Sequence, residues 1–280
     1  MKKAVIVTGA SGSMGSEAVR SLAAAGCAVI MACRNMEKAK AVRRTIVSKT
    51  NSNDIHMLQL DVSSFSSIRS FVSSVAVLCE EKHLVLTGLF NNAGIINREY
   101  GLSADGYERT LATNYIGPYL LTRLLIPMMA DGSHIVNMVS LTCRFGNVDE
   151  TLFARGPERF RQLGTYADSK LALLLFSISL SEKVDALAEG KHIYINVADP
   201  GVVNSNMLSM GKWYDSLADI LFRPFCKSPA KGAGPAIKAL SANGSMRYYK
   251  GRNFKDIQYS YKMHPSKEWL WKETASKFGL

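Results

Sequence analysis

The sequence predicts an α/β protein: a doubly wound parallel sheet with helices on both faces, built as a single domain. Three observations predict it. Short β-branched runs alternate with amphipathic helical patterns along most of the chain, and a repeated strand–helix–strand order builds parallel sheets. A glycine-rich turn joins the first strand to the first helix, where a βαβ unit begins. No linker divides the 280 residues, a length that fits one large domain.

Ala4–Thr8 reads as a buried parallel strand, and Ser13–Ala25 as a helix closed by Gly26. Ala28–Cys33 is the second strand and Met36–Lys49 a polar, basic helix. Ile55–Leu60 and a helix over Ser66–Lys82 follow, then a strand over Leu84–Phe90 and a long helix over Tyr107–Met129. His134–Val139 is the fifth strand, Tyr166–Leu187 another long helix and Ile193–Val197 the sixth strand. Residues 141–165 form a polar insert. Residues 201–229 are irregular and rich in Met and aromatics, from Met207 and Trp213 to Phe225. A helix from about residue 230, a short strand near Tyr248–Lys250 and a helix near Ser266–Lys277 complete the chain.

Composition narrows the function. The apolar content of 47% builds a full core. The net charge of +11 comes from scattered cations, with no basic block or aromatic platform, so nucleic acid is not an expected partner. Five cysteines without a C-x-x-C pair fit a reduced, cytoplasmic setting. The apolar run after Lys2 and Lys3 is too short for a signal segment. No stretch reaches the ~18 apolar residues of a membrane span, although peripheral membrane contact stays open. No metal site is expected.

The turn Thr8-Gly9-Ala10-Ser11-Gly12-Ser13-Met14-Gly15 carries small residues that let the backbone approach a pyrophosphate. The following helix N-terminus adds free N–H groups and a positive dipole end. This is a Rossmann-type cofactor turn. After the second strand, a reader of the ribose 2′-hydroxyl would be Asp or Glu. Here Cys33 stands in that place, followed by Arg34 and Asn35. A guanidinium pairs with a 2′-phosphate, so NADP(H) is favoured and NAD(H) stays open.

Tyr166-Ala-Asp-Ser-Lys170 puts a phenol and an ammonium on one helical face. The ammonium is expected to lower the phenol's pKa from about 10 towards neutrality, making it a usable acid and base.

Together these residues resemble the short-chain dehydrogenase/reductase family, whose turn reads Thr-Gly-x-x-x-Gly-x-Gly. Gly9 and Gly15 keep their places, while Ser13 stands at the second glycine position. The resemblance covers the chain to about residue 205. It implies that Asp61 and Val62 meet the adenine, and that Asn91-Asn92-Ala93-Gly94 closes the fourth strand, with Asn91 holding the sheet and the cofactor loop. It implies a catalytic set of Asn114, Ser140, Tyr166 and Lys170. Tyr166 exchanges a proton with the carbonyl oxygen, and Ser140 positions that oxygen. Lys170 holds the ribose, and Asn114 holds a water relaying protons from Lys170. Pro200, Gly201, Val203 and Ser205 would turn the chain over the nicotinamide and hold its carboxamide. Asp199 stands where close relatives often carry histidine.

The long Ser140–Tyr166 interval resembles that of the retinol dehydrogenases and related carbonyl reductases. The implied activity is hydride transfer between NADP(H) and a carbonyl or alcohol, and a lid over residues 207–225 would make the substrate lipophilic. Reduction of an activated carbon–carbon double bond, or a non-enzymatic cofactor-sensing role, is the alternative. Residues 1–140 would mainly bind cofactor, and 141–280 would carry Tyr166, Lys170 and the substrate part. Family members often pair through the helices carrying Asn114 and Tyr166, and Leu120-Leu121 and Leu173-Leu174-Leu175 permit a homodimer or homotetramer.

Overall fold

The structure is a computed structural model that describes residues 1–203, 227–251 and 253–280. One sheet carries eight strands in the order β3-β2-β1-β4-β5-β6-β7-β8. They are β1 (Lys2–Thr8), β2 (Ala28–Cys33), β3 (Ile55–Gln59), β4 (Leu84–Asn91), β5 (Ser133–Met138), β6 (Ile193–Asp199), β7 (Arg247–Lys250) and β8 (Asn253–Asp256). β1 to β7 are parallel, and β8 returns antiparallel to β7. The order reverses between β1 and β4, so a crevice opens at their C-terminal ends. The predicted α/β class stands. β8 goes beyond the sequence reading, because all four of its residues are exposed and no apolar alternation marks it.

Alternation along each strand assigns side chains to two layers. Ala4 and Ile6 of β1 enter one core with Ala28, Ile30 and Ala32 of β2. Val5 and Val7 enter the other with Val29, Met31 and Cys33. Helices α1 (Ser13–Ala24), α2 (Met36–Thr50) and α7 (Pro229–Ala239) cover the second layer. Helices α3 (Phe65–Glu81), α5 (Gly117–Leu125), α6 (Gln162–Leu187) and α9 (Ser266–Phe278) cover the first. A short α8 (Tyr259–Lys262) precedes α9.

The helix predicted over Tyr107–Met129 runs from Arg109 to Met128 and changes its winding along the way. It consists of a short α4 (Arg109–Leu111), a π-helical segment (Ala112–Ile116), α5 and a 3₁₀ turn (Ile126–Met128). The helix runs unusually close to the loop after β3: a Cβ on Gly117 would lie 1.9 Å from the Val62 carbonyl oxygen.

Every residue of α6 from Ala167 to Leu180 is buried, as expected of a helix inside the fold. Leu120, Leu121, Leu173, Leu174 and Leu175 are all buried within this one chain. They therefore offer no free surface for pairing, contrary to the sequence reading. α9 provides part of the cover. Trp271 stacks on Phe176, and Thr274 bonds the Tyr115 hydroxyl at 2.6 Å. Among the described residues no helix is long and apolar enough to cross a membrane.

Candidate active site

The turn after β1 is shaped by one backbone angle and two close approaches. Gly9 has φ +62°, a conformation that favours glycine. Its carbonyl oxygen accepts from the Gly12 N–H at 3.0 Å. A Cβ on Gly15 would come within 2.3 Å of that same oxygen, so only glycine lets α1 start this close to the turn. Ser13, the departure from the family pattern, begins α1 exposed and with ordinary backbone, and Gly12 is the helix N-cap. The serine therefore fits without strain.

Asn92 ties this turn to the end of β4. Its Nδ2 donates to the Thr8 carbonyl at 2.8 Å, while the Asn92 and Ala93 N–H groups both donate to Thr8 Oγ1 at 2.9 Å. Asn91 faces the other way: its Nδ2 donates to Thr122 Oγ1 at 2.9 Å and Asn137 Oδ1 at 2.7 Å. The expected double duty of Asn91 is thus divided. Asn91 braces the sheet, and Asn92 braces the loop.

A cavity of about 880 Å³ opens over this turn. Gly9, Ser11, Gly12, Ser13, Met14, Gly15, Arg34, Asn35, Asp61, Val62, Asn92, Ala93 and Gly94 line it, which brings together every predicted cofactor residue from the first four strand ends. Asn35 Oδ1 accepts from the Lys38 N–H at 2.9 Å and so caps α2. Asp61 Oδ1 accepts from the Ser63 N–H and Oγ. Sequence reasoning missed Lys38, Thr113 and the stretch Ile95 to Arg98, which also line the cavity. For Lys38 a signal existed. Asn35 as N-cap puts Lys38 in the first turn of α2, where side chains lean back towards the N-terminus.

The remaining candidates lie past Gly94, outside that lining. A Cβ on Gly94 would sit 3.3 Å from Asn114 Oδ1 and 3.4 Å from Lys170 Nζ, so both residues flank this glycine. Asn114 is fully buried. Its Oδ1 accepts from the Ile95 N–H at 2.8 Å, and its Nδ2 donates to the Ile95 carbonyl at 2.9 Å and to Ser169 Oγ at 3.0 Å. Ser140 follows β5 and caps the 3₁₀ turn Leu141–Phe145, its Oγ accepting from the Thr142 N–H.

Tyr166 lies one turn inside α6, which starts at Gln162, and the Ser140 hydroxyl is close enough to its hydroxyl to act on its acidity. Lys170 Nζ donates to the Met138 carbonyl at 2.7 Å and sits 5.8 Å from the Tyr166 ring centre. Burial pushes Tyr166 up to about 12, against the partial opposition of the Ser140 hydroxyl, with Cys143 and Asp199 raising it further. Burial pushes Lys170 down to about 8. This reverses the sequence expectation for Tyr166. The one-face geometry holds, but the ammonium is desolvated and bonded to a backbone carbonyl, and the phenol loses water and faces an acidic neighbour.

The insert 141–165 is knotted to α6 beside Tyr166. Asp168 Oδ1 accepts from the Asn147 N–H at 2.6 Å, and its Oδ2 pairs with Arg155 Nη1 at 2.5 Å. On the opposite wall, Gly201 has φ +71° after β6, and Val203 bridges to Lys227. A Cβ on Gly232 of α7 would meet Val203 Cγ2 at 2.6 Å and Met14 Sδ at 3.2 Å. Pro200, Gly201 and Val203 thereby stand on the same side of the crevice as the glycine turn. Ser205 and the stretch 207–225 lie outside the described residues, as does Cys226. Cys27, Cys33, Cys79 and Cys143 are free, and no cluster fit for a metal ion occurs among the described residues.

This fold and this constellation are those of a nicotinamide-dependent oxidoreductase. The chain belongs to the short chain dehydrogenase family, whose model matches residues 3–213. Retinol dehydrogenase 11 of Mus musculus is 32% identical over 265 residues, covering 92% of this chain and 79% of the relative. Polyprenol dehydrogenase of Mus musculus is 34% identical, covering 86% and 72%. A crystal structure of an uncharacterised protein from Mycobacterium Paratuberculosis superposes with a TM-score of 0.76 at 28% identity, covering 99% of this chain and 92% of that one. The chain is thus an NAD(P)-dependent oxidoreductase of retinol dehydrogenase-like type.

Proposed function

We propose that this protein transfers a hydride between NADP(H) and the carbonyl or alcohol group of a lipophilic small molecule. The observation that carries the reading is the meeting of Ser140 and Tyr166 beyond the end of β5, with Lys170 beside them and next to the cofactor crevice.

The crevice fits a dinucleotide. Its glycines leave no Cβ in the path of a pyrophosphate, α1 points its free N–H groups at the turn, and the cavity is large enough. In this reading Gly9 to Gly15 hold the pyrophosphate, Asp61 and Val62 the adenine, and Asn92 to Gly94 the nearby ribose. Arg34 holds a 2′-phosphate, with Lys38 and Asn35 beside it. Pro200, Gly201 and Val203 face the carboxamide. When bound, the nicotinamide supplies or takes up the hydride. Residues 1–140 mainly bind this cofactor, and 141–280 carry Tyr166, Lys170 and the substrate part.

The proton chemistry belongs to the protein. A phenol pushed up to about 12 stays protonated at neutral pH. That suits Tyr166 to donate its proton to a carbonyl oxygen in the reduction direction. Ser140 Oγ hydrogen-bonds the same oxygen and fixes its position. Lys170 Nζ, held down to about 8 by burial and so still protonated at neutral pH, holds the ribose hydroxyls and returns a proton towards Tyr166. Asn114 lies across Gly94 from Lys170, where a water could link Lys170 to solvent. Retinol and polyprenol appear in the relatives' names, which supports a lipophilic substrate. Four free cysteines among the described residues fit a cytoplasmic location.

The test is NADPH-dependent reduction of all-trans-retinal by the purified chain and by Tyr166→Phe. The variant is expected to lose roughly 10²–10⁴-fold in turnover. Unchanged turnover in Tyr166→Phe overturns the reading.

A further inference from the structure

The chain contains one Asn-Gly pair, Asn243-Gly244, in the connection between α7 and β7. The candidate active site does not use it. Asn243 is exposed. Gly244 has φ +114°, a conformation that favours glycine, and its N–H donates to no group among the described residues. An asparagine side-chain amide lies within reach of the next backbone nitrogen. Ring closure between them needs that nitrogen to be unhindered, unbonded and able to lose its proton. Elsewhere the fold blocks this reaction. Asn35, Asn114, Asn147 and Asn196 engage their side chains in hydrogen bonds. The N–H that follows Asn51 donates to Thr50 Oγ1.

Arg247 supplies the remaining requirement. Its Nη1 donates to the Asn243 carbonyl oxygen at 2.7 Å. That oxygen belongs to the same peptide group as the Gly244 nitrogen, so it takes up negative charge when the nitrogen loses its proton. A charge-assisted hydrogen bond there favours the ionised peptide. The guanidinium is well held: Cζ lies 4.3 Å from the centre of the Phe254 ring of β8, and a Cβ on Gly244 would stand 2.8 Å from it.

We propose that Asn243 is a self-modifying site, which converts to aspartate and isoaspartate with Arg247 promoting the step. The Gly244 nitrogen, its proton lost to solvent base, attacks Asn243 Cγ. The N–Cγ bond forms, the Cγ–Nδ2 bond breaks, and Nδ2 takes a proton from water and leaves as ammonia. Water then opens the cyclic imide at either carbonyl. The carboxylate formed hangs either from the normal backbone or from a backbone one carbon longer. No oxidant or reductant takes part.

The longer product bears on the sheet. The Gly244 carbonyl accepts from Asn196 Nδ2 at 2.8 Å, Ser245 Oγ accepts from the Ile195 N–H at 3.1 Å, and the Ile195 carbonyl accepts from the Met246 N–H at 2.8 Å. These bonds set β7 against β6, which runs on into the Pro200–Val203 turn. An extra backbone carbon before Gly244 puts them out of step.

The full chain is incubated at mildly alkaline pH and body temperature. Its peptides are followed by mass spectrometry for the gain of about 1 Da that marks amide-to-acid conversion. Asn243 should convert ahead of every other asparagine. Arg247→Leu and Arg247→Gln, confirmed as folded by circular dichroism, should slow it about tenfold, the worth of one charge-assisted hydrogen bond. In urea all three chains should convert at one rate, because unfolding parts the guanidinium from the turn. The isoaspartyl form, separated by chromatography, should melt below the unmodified chain. Absence of a lead for Asn243 in the wild type overturns the proposal, and that result needs no variant. An unslowed rate in the folded variants, or the same slowing in urea, overturns the part given to Arg247. An isoaspartyl form as stable as the unmodified chain overturns the link to β7. None of these outcomes depends on the cofactor or on hydride transfer.

Discussion

Asn114 holds Ile95 by both of its backbone groups, accepting from the N–H at 2.8 Å and donating to the carbonyl at 2.9 Å. The pairing imitates a strand contact and locks the loop after Gly94 onto the π-helical segment. Replacement by alanine removes the partners of two partly buried backbone groups of Ile95. Asn114→Ala should lose about 2 kcal/mol of stability, read from urea denaturation. It should also weaken NADPH binding, because Ile95 lines the cavity. A variant as stable as the wild type would mean that the clamp is not holding the loop.

Gly117 makes the closest approach in the cofactor half. A Cβ there would lie 1.9 Å from the Val62 carbonyl oxygen and 2.9 Å from its carbon. Backbone must shift to admit it, at a cost of roughly 1–3 kcal/mol. Gly117→Ala should lower the melting temperature and, through displaced Val62, weaken NADPH and NADH alike. Equal effects on both cofactors distinguish this from a phosphate contact.

Arg34 and Lys38 should act on the phosphate alone. Arg34→Ala and Lys38→Ala are each expected to raise the NADPH dissociation constant about tenfold, roughly 1.4 kcal/mol, with NADH unchanged. Fluorescence titration with the two cofactors measures the ratio. A loss equal for NADH would mean that these cations serve the pyrophosphate or the fold.

Lys170 predicts a pH dependence of stability. Burial holds it down to about 8, against an ordinary value of 10.5. Below pH 8 both folded and unfolded chains carry the proton, and folding bears the full cost of burying it. Between about 8 and 10.5 the unfolded chain holds the proton and the folded chain does not, so stability rises with pH. The gain is at most ~3 kcal/mol. Denaturation of the wild type and Lys170→Met at pH 7.5 and 9.5 should show the wild type gaining on the variant with pH. A constant difference would place the ammonium in contact with water.

The strand and helix pattern was legible because it depends on local periodicity. Alternation along β1 and β2 splits them between two layers, and the Gly26 and Asn35 helix boundaries follow from backbone chemistry. The residues of the glycine turn, Arg34, Asp61 and Asn92 were legible as a set because each sits at a strand end, and parallel strands bring those ends to one rim. The change of winding within the Tyr107–Met129 helix was not legible, and neither was the close approach of Gly117 to Val62, since those two residues are far apart in the chain. β8 lacked any apolar pattern, and the leucines of α5 and α6 gave no sign that the chain itself would cover them.

By itself the sequence determined the class of fold, the cofactor crevice and the pairing of Tyr166 with Lys170 one helical turn apart, all of which follow from spacing along the chain. Only the tertiary structure decided the electrostatics of that pair. Whether a phenol is raised or lowered depends on what surrounds it, and its surroundings come from β5, β6 and the turn after Ser140. Asp199 shows the difference. In sequence it is an acid before a Pro-Gly turn; in the fold it is a buried carboxylate held by the Gly201 N–H and by Tyr248 and Lys250 of β7. Local spacing fixes which groups share a helix face, whereas burial and long-range neighbours fix which of them keeps its proton.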